Sequence, residues 1–261
     1  METITSRNNE KIKLAAALLT SADKRKQTGL FLLEGARLCI DAVKSGIEIE
    51  CLLLSEKASD HFREEALIIS KTAHSVYRIT DELAHKISDT KHTQGIFCVC
   101  KMLDKTEDMD KIDYNGKYIA LEDISNPLNL GSICRSAEAF GLSGIIIGGG
   151  CDIYNPKAQR AAMGSLLRFP VINTDNLPRL FTLLSEKGMK TFAAVLDDDA
   201  VSIKDTDFTG AAICAIGNEG AGLKTETVNA IQKKVTISMK GAAESLNANA
   251  AAAVIMWEMM R

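Results

Sequence analysis

One arginine stands alone in a stretch otherwise suited to a turn and a helix. The stretch NPLNLGSICRSAEAFG, residues 126–141, begins with turn-forming residues and continues with small residues around Arg135. Pro127 fixes φ, and Asn126 and Asn129 can cap backbone groups where the chain turns into the helix. A guanidinium placed there can hold a phosphate or stabilise negative charge on an oxygen, because its planar fork donates several hydrogen bonds.

Two later stretches combine a strand end, a loop of small residues and a few polar side chains. They are AIGNEGAGL at residues 215–223 and ISMKGAAESLNANA at residues 237–250. In an open parallel sheet, ligands bind where the carboxyl ends of strands meet loops. Taken singly, each loop is more often plain turn geometry, and Ser245 could be only a helix cap. Their order and spacing together indicate one ligand site.

The elements that position these loops alternate along the whole chain. Short apolar runs such as GLFLLEG, IECLLLS, SVYRIT and QGIFCVC precede residue 101, and KYIALEDI, GIIIGGG, TFAAVL, AAICAIG and KVTIS follow residue 116. Helical patterns separate them, including Leu130–Phe140, a helix near Pro156–Leu167 and an alanine-rich C-terminal helix. Strands regularly followed by helices predict an α/β fold with a mostly parallel sheet.

A polar stretch with an Asn-Gly turn signal divides the chain. It predicts a first α/β domain over residues 1–105, a linker over 106–116 and a second domain over 117–261. A length of 261 residues with 46% hydrophobic residues allows two such cores.

Composition excludes several other classes of protein. No apolar run reaches the roughly 20 residues that cross a bilayer, and no signal-peptide core follows the first charges, so we expect a cytoplasmic protein without a membrane partner. The seven cysteines lie mostly in apolar runs without CxxC pairs, and the four histidines are scattered. These features favour buried free thiols and no metal site. The net charge is −3, although KRK at residues 24–26 offers a local basic run.

Familiar nucleotide-binding motifs are missing from the sequence. A dinucleotide-binding domain needs G-x-G-x-x-G directly after its first strand, and here the first strand of the second half leads into NPLNLGS. GNEGAG at residues 217–222 has a different glycine spacing, and no Lys-Ser/Thr follows it as a P-loop requires.

With all three stretches assembled, the second half resembles the SpoU, or TrmH-like, branch of the SPOUT methyltransferases. Members methylate ribose 2′-oxygens of ribosomal or transfer RNA with S-adenosylmethionine. The three stretches match the family's three motifs in order, and IYNPKAQRAAMGSLLRFPV matches the segment between the first two. The first half, with KRKQTGLFLLEGARLCIDAV, resembles the substrate-binding domain that often precedes this catalytic domain. Asn126, Ala162 and Asn249 depart from the residues that the family often has.

The resemblance implies the fold and the cofactor site. The second half is expected to be an α/β knot, with a deep trefoil knot and a mostly parallel sheet, preceded by a small L30e-like α/β domain. No local pattern of residues could reveal a knot. The residues implied to bind S-adenosylmethionine are Leu196, Gly217, Asn218, Glu219, Gly220, Ile237, Met239, Ser245, Leu246 and Asn247.

The resemblance also implies the catalytic and RNA-binding residues. The implied catalytic residues are Arg135, Asn129, Glu219, Ser245 and Asn247, where Asn129 and Glu219 would orient Arg135. The implied RNA-binding residues are Lys24, Arg25, Lys26, Arg135, Lys157 and Arg160. An ion pair between Arg135 and Glu138, or a solvated helix face for Lys157 and Arg160, are the alternatives.

The sequence therefore predicts a SAM-dependent RNA 2′-O-methyltransferase that acts as a homodimer through its C-terminal domain. Its preferred substrate is 23S ribosomal RNA, because the first domain resembles those of family members that act there. The alternatives are a transfer RNA 2′-O-methyltransferase, a non-catalytic RNA-binding protein of the same fold, and a nucleotide-dependent metabolic enzyme.

Overall fold

The computed structural model describes residues 2–104 and 112–261. The chain divides into two units, and the division departs from chain order at one place. The first unit takes the residues up to Asp104 and also the later segment Asp152–Arg168. The second unit takes the other described residues. Residues 106–111 of the predicted linker lie outside the described residues.

Strands and helices alternate along the chain, as the sequence patterns predict. The strands are β1 (Glu2–Ile4), β2 (Leu30–Glu34), β3 (Ile49–Ser55), β4 (Ser75–Ile79), β5 (Ile96–Lys101), β6 (Lys117–Glu122), β7 (Gly144–Gly148), β8 (Val171–Asn173), β9 (Lys190–Ala194), β10 (Val201–Ser202), β11 (Ala212–Ile216) and β12 (Lys233–Thr236). The helices are α1 (Glu10–Thr20), α2 (Ala22–Thr28), α3 (Ala36–Lys44), α4 (Glu56–His61), α5 (Arg63–Ser70), α6 (Asp81–Lys86), α7 (Pro127–Phe140), α8 (Pro156–Ala162), α9 (Ser165–Arg168), α10 (Leu177–Glu186), α11 (Thr225–Asn229) and α12 (Ala248–Met260).

The first unit is built on a mixed sheet with the strand order β1-β4-β3-β5-β2. The strand β4 pairs in parallel with β1 and β3, whereas β5 pairs antiparallel with β2 and β3. The helix α1 packs on one core of this sheet through Ile12, Ala15 and Leu18, all fully buried. The apolar runs predicted as strands in the first half are therefore strands, and they form one sheet.

The second unit is built on a sheet in which every pair of strands is parallel, with the order β10-β12-β9-β11-β6-β7-β8. The central strand β11 is buried at all five positions, and β6 is buried from Tyr118 onward. Such continuous burial is typical of a parallel sheet covered on both faces. This confirms the predicted α/β fold with a mostly parallel sheet.

The helix α7 begins three residues earlier than the predicted Leu130. The Asn126 side chain accepts a hydrogen bond from the Leu128 backbone N–H at 2.9 Å, and Pro127 occupies the first helical position. Both features favour the start of a helix. Proline has no backbone N–H that would need a partner in the first turn, and the asparagine side chain accepts a hydrogen bond from one of the N–H groups that do. The helix ends at Gly141, which has a left-handed φ of 81°.

The single helix predicted near Pro156–Leu167 is wrong, because the structure has two short helices there. The break lies at Met163 and Gly164, whose φ values of 50° and 87° are both left-handed. A Cβ at Gly164 would collide with the Asp41 carboxylate and the Arg168 guanidinium, so the turn brings its backbone close to both groups. The sequence pattern alone gives no sign of this contact with a distant part of the chain.

None of the helices in the described chain is long and apolar enough to cross a membrane. Six of the seven cysteines are buried, and Cys151 is half-buried.

Candidate active site

A cleft of about 630 Å³ opens in the second unit at the carboxyl ends of β9, β11 and β12. These three strands are neighbours in the sheet, so the loops that follow them meet at one place. The cleft is also lined by residues of α11 and by the start of α12. Of the residues predicted to bind the cofactor, all except Asn247 line this cleft: Leu196, Gly217, Asn218, Glu219, Gly220, Ile237, Met239, Ser245 and Leu246.

Gly217 begins the loop that forms one wall of the cleft. A Cβ at this position would collide with the backbone of Gly222 and Leu223, so only glycine allows the loop to fold back on itself. Asn218 and Gly222 exchange two backbone hydrogen bonds, of 3.0 and 2.9 Å. The Asn218 side chain accepts from the Gly220 and Ala221 backbone N–H groups at 2.9 and 3.0 Å. Asn218 thus shapes the loop.

Glu219 joins this loop to the start of α7. Its Oε2 accepts from the backbone N–H and the hydroxyl of Ser125, at 3.1 and 2.9 Å. Its Oε1 accepts from the Asn126 backbone N–H at 3.2 Å and from the Asn129 side-chain amide at 2.8 Å. The carboxylate therefore binds four donors, two from Asn126 and Asn129 in the first of the three sequence stretches and two from Ser125, the residue just before it.

These hydrogen bonds set the ionisation of Glu219. Partial burial raises its pKa, but the hydrogen bonds from Asn129 and Ser125 lower it by more than burial raises it. The resulting pKa is about 2. A carboxylate with this pKa is ionised at neutral pH and is too weak a base to accept a proton from a hydroxyl group. Glu219 is suited to holding two loops together.

Arg135 lies further along α7 and its side chain is exposed. Among the described residues it has no ion pair or hydrogen bond from its guanidinium, and none joins it to Glu138. The structure joins Asn129 to Glu219 but brings neither into contact with Arg135, so the orienting contacts expected for Arg135 are absent from the described residues. What Asn129 and Glu219 hold is the start of the helix that carries it.

In the third stretch, Ser245 and Asn247 were both predicted to bind the cofactor, but only Ser245 lines the cleft. Ser245 is exposed and lines the cleft. Asn247 caps α12, since its side-chain oxygen accepts from the Asn249 backbone N–H at 3.0 Å, and it is not among the lining residues. The apolar side chain between them, Leu246, also lines the cleft and remains 39% exposed.

Sequence reasoning missed Glu122, the last residue of β6. Its carboxylate is buried, with 3% of the residue exposed. It accepts from the Lys224 backbone N–H at 2.7 Å and from the Thr227 hydroxyl at 2.6 Å, and so fixes the start of α11. The available signal was an acidic residue at the end of an otherwise apolar strand, where an unpaired charge would be costly.

The structure contradicts the RNA contact expected for Arg25. This residue is buried, with 2% exposed, and its Nε lies 2.6 Å from an Asp152 carboxylate oxygen. Its Nη1 also donates to the Leu18 carbonyl at 2.6 Å. A guanidinium enclosed in this way cannot reach a phosphate. Its neighbours differ, because Lys24 is half-buried and Lys26 is exposed.

The two basic residues predicted on α8 also differ from each other. Arg160 forms a two-pronged ion pair with Asp89, and one of the two contacts measures 2.8 Å. Lys157, one helical turn earlier, is exposed. Of the two, Lys157 has the ammonium group that is open to a ligand.

One group of side chains in the first unit has the spacing of a metal site, namely Glu48, Glu50 and His74. The Lys101 ammonium lies 2.6 Å from a Glu48 carboxylate oxygen and 3.4 Å from one of Glu50. This cation offsets one of the two negative charges, and the arrangement is that of an exposed ion-pair cluster.

Two family models match the chain. The SpoU rRNA Methylase family matches residues 116–257, and the MRM3-like substrate binding domain matches residues 9–98. Among curated relatives, the 23S rRNA (guanosine(2553)-2′-O)-methyltransferase of Bacillus subtilis is 30% identical over 263 residues, covering 99% of this chain and 99% of the relative. The 23S rRNA (uridine(2479)-2′-O)-methyltransferase of Streptomyces viridochromogenes is 29% identical, covering 99% of this chain and 91% of the relative.

Solved structures agree with these relatives. The SpoU methyltransferase AviRb from Streptomyces viridochromogenes, in complex with the cofactor AdoMet, has a TM-score of 0.86 and 27% identity, covering 97% of each chain. An AdoMet-bound rRNA methyltransferase from Sinorhizobium meliloti has a TM-score of 0.86 and 26% identity, covering 99% of this chain and 97% of that one. The similarity extends over both units and includes structures with the cofactor bound.

Proposed function

Because this chain belongs to the SpoU rRNA methylase family, we propose that it transfers a methyl group from S-adenosylmethionine to a ribose 2′-hydroxyl of 23S ribosomal RNA. One observation carries the proposal. The loop that lines the cleft is bonded through Glu219 to the start of the helix that carries Arg135, while the third stretch lines the same cleft. The ribosomal substrate follows the two curated relatives, and it implies action in the cytoplasm.

The cleft fits S-adenosylmethionine in size and in the chemistry of its walls. Its volume of about 630 Å³ lies within the range of roughly 300–1,000 Å³ of small-molecule sites. Leu196 and Leu246 keep 65% and 39% of their surface exposed there. The flat adenine ring of S-adenosylmethionine would suit such apolar side chains. Asp197 and Lys234 also line the cleft, and their side chains pair with each other at 2.7 Å. The residues implied by the family would thus hold the cofactor, with Asn247 acting through the α12 cap.

Arg135 is the residue we assign to the RNA hydroxyl. When bound, S-adenosylmethionine supplies an electrophilic methyl group on a sulfonium sulfur. The Arg135 guanidinium is a cation that stabilises the developing alkoxide and binds a neighbouring phosphate, while the proton leaves to water or phosphate. Asn129 and Glu219 act by holding the first turn of α7 against the loop over residues 218–224, the cofactor loop.

The first unit is proposed to select the RNA. In chain order this assigns RNA selection to the predicted domain over residues 1–105 and catalysis to the predicted domain over 117–261, although the segment Asp152–Arg168 belongs to the first unit. Lys24, Lys26 and Lys157 remain candidates for phosphate contacts, which position RNA without reading its sequence. Arg160 is a weaker candidate than these lysines, because Asp89 already occupies its guanidinium.

The second unit is proposed to form a homodimer through α7 and α12. These helices pack together, with the Phe140 and Trp257 rings 5.9 Å apart. Val254, Trp257 and Met260 on α12 remain 41%, 61% and 38% exposed, which is an apolar surface that a second copy would bury. Light scattering should give a dimer mass that Trp257→Glu reduces. A wild-type monomer at micromolar concentration would contradict the dimer.

Mapping of 2′-O-methyl groups tests the proposed function. Cells without the gene should lose one methylated ribose in 23S rRNA, and the purified protein with S-adenosylmethionine should restore it. Loss of a transfer RNA methyl group instead would move the substrate to tRNA. Binding of RNA without any methyl transfer would favour a non-catalytic RNA-binding protein of this fold.

A further inference from the structure

Asp123 directly follows β6 and has an unusual backbone conformation. Its φ is 52°, and Met163 is the other non-glycine residue with a positive φ in the described chain. Residues other than glycine rarely adopt this conformation unless surrounding contacts hold them in it. Here the Asp123 backbone N–H donates to the Gly148 carbonyl at 3.2 Å, and its carbonyl accepts from the Asn218 side-chain amide at 2.8 Å.

The Asp123 side chain is held as well. Its carboxylate lies 2.6 Å from the Lys224 ammonium. On another side, a Cβ at Gly149 would collide with the carboxylate, so the backbone of the loop after β7 lies against it. Asp123 therefore contacts two chain segments, the loop after β7 and the loop after β11, the latter through Asn218 and Lys224.

Two of these contacts mark the two ends of the loop over residues 218–224. Asn218 begins the loop and binds the Asp123 carbonyl, and Lys224 ends it and binds the Asp123 carboxylate. All five residues between them line the cleft. One residue thus fastens both ends of the wall that the proposed cofactor would touch.

The segment before α7 is fastened to the same loop. Glu219 binds the backbone of Ser125 and Asn126, two and three residues after Asp123. Movement of Asp123 would therefore shift the cofactor loop relative to the helix that carries Arg135. A loop already ordered before binding costs less free energy to order on binding.

We propose that Asp123 is a positioning residue that holds the 218–224 loop in its cofactor-binding conformation and in register with α7. The proposal rests on the proposed function, since the ligand of the cleft is S-adenosylmethionine. The left-handed backbone places the carbonyl and the carboxylate of one residue at the two ends of one loop. Asp123 acts through the loop and does not touch the reacting atoms.

Three substitutions separate the contributions of Asp123. Asp123→Gly removes the carboxylate and leaves the left-handed φ unstrained. Asp123→Asn tolerates the same φ and keeps a neutral acceptor for Lys224. Lys224→Met removes the cation and keeps most of the side-chain stem. Lys190→Met is the matched control, because Lys190 pairs with Asp207 at 2.6 Å in the same unit and neither residue lines the cleft.

The readouts are the dissociation constant of S-adenosylmethionine by calorimetry and the hydrogen exchange of the 218–224 amides in cofactor-free protein. An exposed ion pair contributes little, so we expect Asp123→Gly and Lys224→Met each to weaken binding by about three- to fivefold. The same variants should speed loop exchange by a similar factor. Asp123→Asn should show about half of that weakening and of that faster exchange. The double variant Asp123→Gly with Lys224→Met should match the single variants, because either substitution alone already breaks the ion pair. Lys190→Met should match wild type in both readouts.

Two results would overturn the inference, and they are distinguishable. If wild type binds the cofactor while Asp123→Gly and Lys224→Met match Lys190→Met in affinity and exchange, Asp123 does not position the loop. If wild type does not bind S-adenosylmethionine, the proposed function fails, and this inference fails with it.

Discussion

The two units use the same side chain, arginine, in opposite ways. In the first unit, Arg25 and Arg160 are paired with Asp152 and Asp89, and Arg25 is enclosed by the fold. In the second unit, Arg135 is exposed and has no partner among the described residues, while the polar groups of Asn129 and Glu219 bind each other. A cation becomes available to a substrate where the fold supplies no counter-charge. Basic residue type alone does not predict this.

The largest effect should come from breaking the enclosed pair in the first unit. Arg25→Ala breaks the buried ion pair between Arg25 and the largely buried Asp152 carboxylate, and breaking such a pair typically costs about 3–5 kcal/mol of unfolding free energy. Lys26→Ala, on the same helix but exposed, is the control and should change stability by less than about 0.5 kcal/mol. Urea unfolding measures both.

The same pair of variants sharpens the comparison on the RNA side. Lys26→Ala should weaken RNA binding slightly and flatten its salt dependence, because fewer counterions are released.

If Arg25→Ala is as stable as wild type in urea, the ion pair between Arg25 and Asp152 does not stabilise the fold as described here.

The next largest effect is on the affinity of the cleft for S-adenosylmethionine, and it should leave the structure of the first unit unchanged. A Cβ in Gly217→Ala would collide with the backbone of Gly222 and Leu223, so the loop must move. Such overpacking costs about 1–3 kcal/mol, and we expect the affinity for S-adenosylmethionine to fall roughly 10- to 100-fold. Calorimetry measures the affinity. Unchanged affinity in a folded Gly217→Ala protein would show that the loop does not hold the cofactor.

The smallest effect is a dependence of cofactor affinity on pH through Glu219. Its pKa is lowered to about 2 in the folded protein, so the contacts of its carboxylate are complete above its ordinary pKa of 4.5. The stability that these contacts contribute declines as the pH falls from there toward 2. In the folded protein the carboxylate stays ionised until the pH approaches 2, so affinity for S-adenosylmethionine should stay flat with respect to this group from pH 8 down to about pH 3 and fall only below it.

Glu219→Gln is the control for this dependence. It removes the titrating group, and it should show weaker binding at neutral pH and a shallower decline in acid. A decline in affinity between pH 5 and 8 that disappears in Glu219→Gln would contradict the lowered pKa.

The sequence was sufficient to predict nine of the twelve described strands and the loops that form the cleft, but not the short strands β1, β8 and β10 or the order of strands within each sheet. Apolar runs such as those of β6 and β11 are buried on both faces, and the glycines around Asn218 mark the turn that follows. The resemblance then supplied the residues of the cofactor site, and the structure gathers nearly all of them around one cleft. The implied trefoil knot stays a prediction.

Long-range pairs could not be predicted from the sequence. Arg25 meets Asp152 across 127 residues, and Glu122 meets Thr227 across 105. Nothing in the run KRK distinguishes an enclosed arginine from its exposed neighbour. The same limit applies to Asp123, since a left-handed aspartate can be recognised only after its contacts are known.

The most direct test of the central claim is single-turnover methyl transfer by Arg135 variants. Labelled S-adenosylmethionine and 23S rRNA would be mixed with wild type, Arg135→Ala and Arg135→Lys, with each fold checked by circular dichroism. Loss of a preorganised cation typically costs on the order of 100- to 1,000-fold in rate, so Arg135→Ala should lose transfer while its cofactor affinity is retained. Arg135→Lys should rescue poorly, because an ammonium cannot reproduce the planar fork. Turnover by Arg135→Ala within about threefold of wild type, a loss of under roughly 0.7 kcal/mol, would contradict the assignment of Arg135 as the catalytic cation.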